Sequence, residues 1–206
     1  MNQEDQRQRL FWGYKILFLD VMFPNNLKRV IYVDADDVIR ADFYELMTID
    51  LKGAPYAFTP FCNDRPEMEE YMFWNDGYWR NLVNGKKYHI SALFVIDLHQ
   101  FRRKKIGDLI RKAYLDLAND KLSLSNLDQD LPNLLQTKGA EIFSLPQEWL
   151  WCGSWCSDST MAKAKTIDLC NNPRTKESKL EYAKKTIPEW KPLDAEINSE
   201  FVIDDL

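Results

Sequence analysis

Two carboxylates at the end of an apolar run are the residues of this sequence best placed for chemistry. Asp34 and Asp36 follow residues 30–33, whose β-branched and aromatic side chains predict a buried strand. Carboxylates at such a strand end lie where open α/β sheets bind ligands. Because they are two positions apart, both can face one hard cation while Ala35 points away. Asp-x-Asp pairs also occur in turns and caps, so the motif leaves a structural role open.

A phosphatase arrangement is a second interpretation of the same pair. In that arrangement Asp34 is the nucleophile and Asp36 is the acid. It also requires a downstream Gly-Asp-x-x-x-Asp segment for its metal. Gly107 and Asp108 begin such a segment, but Lys112 stands where the second acid is needed. The phosphatase interpretation is therefore weak.

A second polar group gathers at a predicted helix start. Ser125 and Asp128 have the Ser-x-x-Asp spacing that begins helices, and Pro132 is tolerable there only in a first turn. Capping uses one polar residue, whereas four are present, so contact with a substrate, such as sugar hydroxyls, is favoured. The four are Asp128, Gln129, Asp130 and Asn133.

Aromatic side chains crowd between positions 67 and 79 without a period of 2 or 3.6. This pattern predicts a loop over a cleft. Aromatic faces pack in cores and also stack on sugars, and both roles stay open. The residues are Tyr71, Phe73, Trp74, Tyr78 and Trp79.

Composition bounds the class of protein. The chain has 206 residues, 45% of them hydrophobic, and can bury the core of one domain. A net charge of −5 without a basic stripe argues against a nucleic-acid partner. No apolar run reaches the about 18–20 residues of a membrane-spanning helix, and the polar N-terminus does not resemble a secretion signal. Four cysteines allow three pairings, and two histidines disfavour a structural zinc site.

Hydrophobic periodicity predicts helices alternating with strands, which is typical of an α/β domain. Leu10, Tyr14, Leu17 and Val21 recur at helical spacing and predict a helix over 6–22 that buries them. The sequence shows fewer strands than a complete doubly wound sheet needs. The prolines and scattered charges of the last twenty residues predict a loosely attached tail. Further helices are predicted over 41–46, 98–117 and from 125, and strands over 30–33, 56–61, 89–97 and 142–146.

Seven segments together resemble one family closely. They read VDAD at 33–36, GAPY at 53–56, TPFC at 59–62, YHISAL at 88–93, SLSNLDQDLPN at 123–133, SLPQEWLWC at 144–152 and AKTIDLCNNP at 164–173. They are similar to the catalytic domain of the UDP-glucose:glycoprotein glucosyltransferase family. The resemblance covers about residues 7–190.

The resemblance implies an α/β glycosyltransferase A fold that lacks its first βαβ portion. It implies an incomplete catalytic domain over 1–190 and a flexible tail over 191–206. The expected activity is retaining transfer of glucose from UDP-glucose to high-mannose N-glycans of misfolded glycoproteins in the lumen of the endoplasmic reticulum, with calcium or manganese as cofactor. The alternative is an inactive glycan- or partner-binding module.

The resemblance also implies roles for individual residues. The metal ligands are Asp34, Asp36 and Asp168, and Asp37 has no role. Donor contacts are Asp34, Ala35, Asp36, His89, Ser91, Ala92 and Lys165. The catalytic segment comprises Asp128, Gln129, Asp130 and Asn133, and the aromatic group of residues 71–79 faces the acceptor. Residues 203–206 resemble a retrieval signal in their acidic pair and final leucine.

Overall fold

The computed structural model describes residues 3–117 and 125–200. Its helices are α1 (Gln3–Leu17), α2 (Leu19–Met22), α3 (Tyr44–Thr48), α4 (Gly77–Val83), α5 (Leu98–Arg103), α6 (Ile106–Leu117), α7 (Leu127–Leu135), α8 (Lys179–Thr186) and α9 (Trp190–Glu200). Its strands are β1 (Arg29–Val33), β2 (Asp37–Ile39), β3 (Tyr56–Pro60), β4 (His89–Asp97), β5 (Ile142–Ser144), β6 (Trp151–Cys152) and β7 (Thr166–Asp168). Within these residues, no helix has the length and apolar character needed to cross a membrane.

The main sheet has four strands in the order β1-β4-β3-β5. Strand β4 runs antiparallel to both β1 and β3, whereas β3 and β5 are parallel. Eight of the nine residues of β4 are buried, because the strand has neighbours on both edges and packing on both faces. This strand is the long apolar run that the sequence predicts over 89–97.

The two faces of the main sheet carry separate parts of the core. Phe94 and Ile96 point to the face covered by α1, α6 and α7, where Phe94 stacks on Phe58 at 4.8 Å. Leu93 and Val95 pack in a cluster on the other face. The alternation follows from the two-residue period of a strand, and it fixes which β4 side chains meet the helices.

A smaller sheet, in the order β2-β7-β6, lies beyond the end of β1. A turn closed by a hydrogen bond from the Asp37 N–H to the Asp34 carbonyl (3.2 Å) joins β1 to β2. Strand β2 then pairs with β7, with Asp37 opposite Asp168. Strands β2, β6 and β7, which have only two or three residues each, were not predicted from the sequence.

All four cysteines form disulfides, Cys62–Cys156 and Cys152–Cys170. The second joins the end of β6 to the segment directly after β7. Because Cys152 also pairs with Asp168 across the strands, this disulfide holds the backbone of Asp168 against β6.

The predicted first helix is divided at Phe18 into α1 and α2, and its predicted buried face is correct only at Leu17. Leu10, Tyr14 and Val21 are exposed, whereas Leu17 and its neighbour Ile16 are buried. Apolar residues occur on both sides of this helix, so periodicity alone could not choose the side that packs on the sheet.

Three further expectations need correction. The helix predicted over 98–117 is broken where Lys105 has a φ of 53°. The loop predicted over 67–79 consists of 3₁₀ turns at Pro66–Tyr71 and Phe73–Asn75 and the start of α4. Pro132 lies inside α7 rather than in its first turn.

The predicted tail begins with the exposed helix α9. Residues 201–206, with the predicted retrieval signal, lie outside the described residues.

Candidate functional site

A buried lysine joins the two predicted polar motifs. Lys15 Nζ lies 3.0 Å from Asp34 Oδ1 and 2.8 Å from Asp128 Oδ2, and its side chain is 7% exposed. The Tyr32 hydroxyl donates to the same Asp34 oxygen at 2.8 Å, and the Ser91 hydroxyl donates to Asp128 Oδ2 at 2.8 Å. We call Asp34 and Asp128 with Lys15 the lysine-bridged pair.

The lysine-bridged pair is satisfied by groups within the protein. A buried ammonium group requires anionic partners, and two carboxylates supply them. The ring of Tyr32, 4.5 Å from Lys15 Nζ, adds a cation–π contact. Burial and the adjacent Asp34 carboxylate raise the pKa of Tyr32, which keeps its hydroxyl a donor.

A cleft of about 290 Å³ opens at this pair, between α1, β1 and α7. Its lining includes Lys15, Asp34, Ser91, Asp128 and Gln129, so carboxylate, hydroxyl, amide and ammonium groups all reach it. This mixture of donors and acceptors suits a small polyhydroxyl ligand.

The second carboxylate group comprises Asp36, Asp37 and Asp168, which we call the acidic cluster. One oxygen from each lies within 4.8 Å of the others. Burial, followed by the charge of Asp36, raises the pKa of Asp168 to about 7. Lys179 Nζ contacts Asp36 Oδ2 at 2.5 Å and is 40% exposed, so its charge balances the cluster only in part.

Asp37 is a neutral member of this cluster. Both of its carboxyl oxygens are buried and make no hydrogen bond among the described residues. Burial, followed by the charge of Asp168, raises the pKa of Asp37 to about 10. At neutral pH it therefore keeps its proton, which leaves the oxygens of Asp36 and Asp168 as the candidate ligands for a hard divalent cation.

The predicted metal triad is therefore brought together in part. Asp36 lies in the turn before β2, and Asp168 is the last residue of β7, which pairs with β2. The pairing brings the carboxyl group of Asp168 beside that of Asp36, although the two residues are far apart in the sequence. Asp34 lies before the turn and contacts Lys15 instead. The residue without a predicted role, Asp37, lies in the cluster.

Helix α7 presents its predicted catalytic residues to the protein interior. Asp128, Gln129, Asp130 and Asn133 are all buried. The Asn133 side chain accepts from the His89 N–H at 2.9 Å and donates to the His89 carbonyl at 2.8 Å. Asn133 thus fixes α7 to β4, while Asp128 and Gln129 line the cleft.

Two further predicted donor contacts, His89 and Ala92, have partners within the protein. His89 is buried, its ring lies 2.8 Å from the Ser144 hydroxyl, and burial lowers its pKa to about 4. The Ala92 carbonyl accepts the Asp34 N–H at 2.8 Å, which positions Asp34.

Lys165 is held by other acidic residues. Its ammonium group lies 2.7 Å from both Glu45 and Glu148. The cation at the acidic cluster is Lys179 instead.

The aromatic group does not form one open surface. Trp74 is 4% exposed and packs with Met68, Met72 and Tyr88. Tyr71, Phe73 and Tyr78 are exposed, and Trp79 is half-buried. Trp74 therefore supports the cluster rather than offering a face to a ligand.

Lys15 and Lys179 were not predicted as site residues from the sequence. Lys15 lies three positions after Trp12 and four before the buried Leu19, which is the spacing of one helix face. A single cation on this apolar face was the sequence feature that could have indicated a buried lysine. Lys179 begins α8 in a polar stretch, where nothing distinguishes it from a solvated lysine.

Comparison with known proteins gives consistent matches. A family model described as Glucosyltransferase 24 matches residues 1–200. The UDP-glucose:glycoprotein glucosyltransferase of Drosophila melanogaster is 56% identical over 199 residues, 97% of this chain and 13% of that protein. The UDP-glucose:glycoprotein glucosyltransferase 2 of Homo sapiens is 56% identical over 197 residues, with coverages of 96% and 13%. The chain thus spans 13% of the length of these curated relatives.

Solved structures match at lower identity. The galactosyltransferase LgtC, in complex with donor and acceptor sugar analogs, matches with a TM-score of 0.54 at 15% identity, covering 93% of this chain and 77% of that chain. Mouse xyloside xylosyltransferase 1 matches with a TM-score of 0.52 at 14% identity, covering 84% and 68%. The predicted α/β glycosyltransferase A fold is confirmed.

Proposed function

Because the chain belongs to the glucosyltransferase 24 family, we propose that it is the catalytic part of a retaining UDP-glucose:glycoprotein glucosyltransferase. The acceptor is a high-mannose N-glycan on a misfolded glycoprotein. The observation that carries the proposal is the position of the acidic cluster, one turn of chain away from a polar cleft that contains Asp34 and Asp128. An intact cluster disfavours the inactive module.

The proposed cofactor is a divalent cation, calcium or manganese. Asp36 and Asp168 are its proposed charged ligands. Asp34 is the proposed third ligand through Oδ2, the oxygen that Lys15 does not bind. The ion pair between Lys179 and Asp36 supports the fit, because the same carboxylate already attracts a cation. When bound, the metal offsets negative charge on the leaving diphosphate.

The protein's own groups bind and orient the donor in this proposal. The hexose of UDP-glucose occupies the cleft, where Lys15 holds Asp34 and Asp128 as fixed acceptors for sugar hydroxyls. Ser91 fixes the second of these carboxylates. Lys179 is the cation placed to contact the diphosphate, in place of the expected Lys165. Ala35, which is exposed in the turn, remains a proposed donor contact.

Retention follows in this proposal from attack on the face that the leaving group vacates. The bond between C1 of glucose and the diphosphate oxygen breaks, and its electron pair leaves with UDP. The acceptor hydroxyl bonds to C1 on the same face and gives its proton to the departing phosphate oxygen. Positive charge develops on the sugar ring, and buried carboxylates stabilise it. Asp130 is one of these carboxylates. Both of its oxygens accept hydrogen bonds, which supports a role in stabilising the positive charge rather than a role as nucleophile.

The exposed Tyr71, Phe73 and Tyr78 and the half-buried Trp79 are the proposed acceptor surface, and Trp74 is buried within the same cluster. The proposed compartment is the endoplasmic reticulum lumen. The two disulfides support it, because disulfides persist in oxidising compartments.

Transfer of radiolabelled glucose from UDP-glucose to a denatured high-mannose glycoprotein tests the proposal. The assay uses the 206-residue chain and a chimera in which the chain replaces the matching 199 residues of the Drosophila relative. We expect transfer by the chimera in calcium or manganese, and loss of at least about 100-fold in Asp36→Asn.

Lys165→Met is the matched control, because its ammonium group contacts Glu45 and Glu148 instead. It is expected to keep transfer within about threefold. A chimera that folds, binds no UDP and transfers no glucose contradicts the proposal. Binding of the glycan alone would instead support the inactive module.

A further inference from the structure

Tyr88 lies between the exposed aromatic residues and the reaction segment of α7. Its ring is buried and contacts four aromatic rings at centroid distances of 4.7–6.3 Å. These rings are Phe61, Phe73, Trp74 and Trp79. Packing on several sides fixes the ring and therefore the direction of its hydroxyl.

The Tyr88 hydroxyl forms a directed chain of hydrogen bonds. It accepts from Gln129 Nε2 at 3.4 Å and donates to Asp130 Oδ1 at 2.6 Å. The other carboxylate oxygen of Asp130 accepts from the Asn126 N–H at 3.0 Å. A carboxylate that receives two donors is held in one position, and bonds in such a chain strengthen one another.

We propose that Tyr88 is a positioning residue for glucosyl transfer, whose hydroxyl holds the Asp130 carboxylate charged and in one orientation beside the cleft. This inference rests on the proposed function. It also connects the acceptor surface to the reaction segment, because Phe73 and Trp79 pack on the ring whose hydroxyl holds Asp130.

The charges that face Asp130 agree with this role. Burial raises the pKa of Asp130, and the charge of Asp128 on the same helix adds to the rise. The Tyr88 hydrogen bond, the Asn126 N–H and the charge of Arg9 on α1 oppose it. The Tyr88 hydrogen bond is the largest of the effects that oppose the rise, so without it the Asp130 carboxylate would take up a proton at higher pH.

Tyr88→Phe tests the inference because it keeps the ring and removes only the hydroxyl. The first measurement is the ¹³C NMR titration of the Asp130 carboxyl in the full chain, assigned by the signal that Asp130→Asn loses. We expect the pKa of Asp130 to rise by roughly one unit, as for loss of a hydrogen bond to a charged group. In the chimera, the pKa that governs the acid limb of the pH profile of kcat should rise by the same amount. The KM for UDP-glucose should stay within about twofold of the wild-type value.

Tyr56→Phe is the matched control. Tyr56 is also fully buried, and its hydroxyl donates to the Ala140 carbonyl at 3.2 Å, away from Asp130. The control should lower stability yet leave the Asp130 titration and the pH profile unchanged.

Two results would overturn the inference: equal Asp130 pKa values in Tyr88→Phe and the wild type, or a shifted pKa with an unmoved kcat profile. The proposed function fails separately. A folded wild-type chimera that transfers no glucose while the NMR shift is present would refute transfer and leave the Tyr88–Asp130 bond established.

Discussion

The lysine-bridged pair and the acidic cluster are two carboxylate groups whose charges are balanced in opposite ways, although one turn of chain separates them. In the first, Asp34 and Asp128 share a buried ammonium group that the fold itself supplies. In the second, Asp36 and Asp168 lie together, and the ion-pair partner of Asp36 is the partly exposed Lys179. The pair is therefore complete without a ligand, whereas the cluster gains stability from an added cation.

The substitution Lys15→Met, which removes the cation of the lysine-bridged pair, is expected to have the largest effect. Removal of the ammonium group leaves two buried or half-buried carboxylates without their partner. The free energy of unfolding should fall by about 3–5 kcal/mol, as for a broken buried ion pair. Urea denaturation of the metal-free chain measures it. A loss below about 1 kcal/mol would mean that the pair is solvated rather than bridged.

The second expected effect is on the way the stability of the metal-free chain depends on pH. The pKa of Asp37 is about 10 in the folded chain, above its value of 3.8 when unfolded, so the folded state holds a proton that the unfolded state has lost. Stability therefore falls as pH rises between these values, by about 1 kcal/mol per pH unit from pH 7 to pH 9.

Asp37→Asn should remove this slope, because an amide is neutral at every pH in the range. Urea denaturation at pH 7, 8 and 9 with a chelator compares the two chains. Parallel curves for wild type and variant would contradict a neutral Asp37.

The smallest effect is expected for Lys179→Met, the exposed counterpart of Lys15. Its ion pair with Asp36 is partly solvated, so the free energy of unfolding should change by less than about 1 kcal/mol. Because Lys179 competes for the Asp36 carboxylate, the variant should bind manganese more tightly by about two- to fivefold, measured by calorimetry without nucleotide. Weaker manganese binding would show that Lys179 supports the cation site rather than competing for it.

The sequence predicted the strand before Asp34 and the α/β class because both rest on long apolar runs. It predicted Asp34 and Asp36 to face one cation from strand alternation, whereas both residues lie in the turn after β1. Asp168 entered only through the family resemblance, because no local pattern can join residues on β2 and β7.

The two lysines show why charge balance is harder to predict than the fold. A lysine is usually solvated, and Lys15 becomes buried only because α1 turns its stripe of Trp12, Lys15 and Ile16 toward the sheet. That orientation depends on tertiary packing, which the apolar residues on both sides of the helix did not specify.

The central claim is that an added divalent cation binds at the acidic cluster and does not depend on Asp128 of the lysine-bridged pair. Calorimetric titration of manganese into the wild type, Asp168→Asn and Asp128→Asn at pH 7.5 tests it most directly. The account predicts saturable binding by the wild type and by Asp128→Asn, and a loss of at least about 100-fold, or about 2.7 kcal/mol, in Asp168→Asn. Unchanged binding in Asp168→Asn together with loss in Asp128→Asn would contradict it.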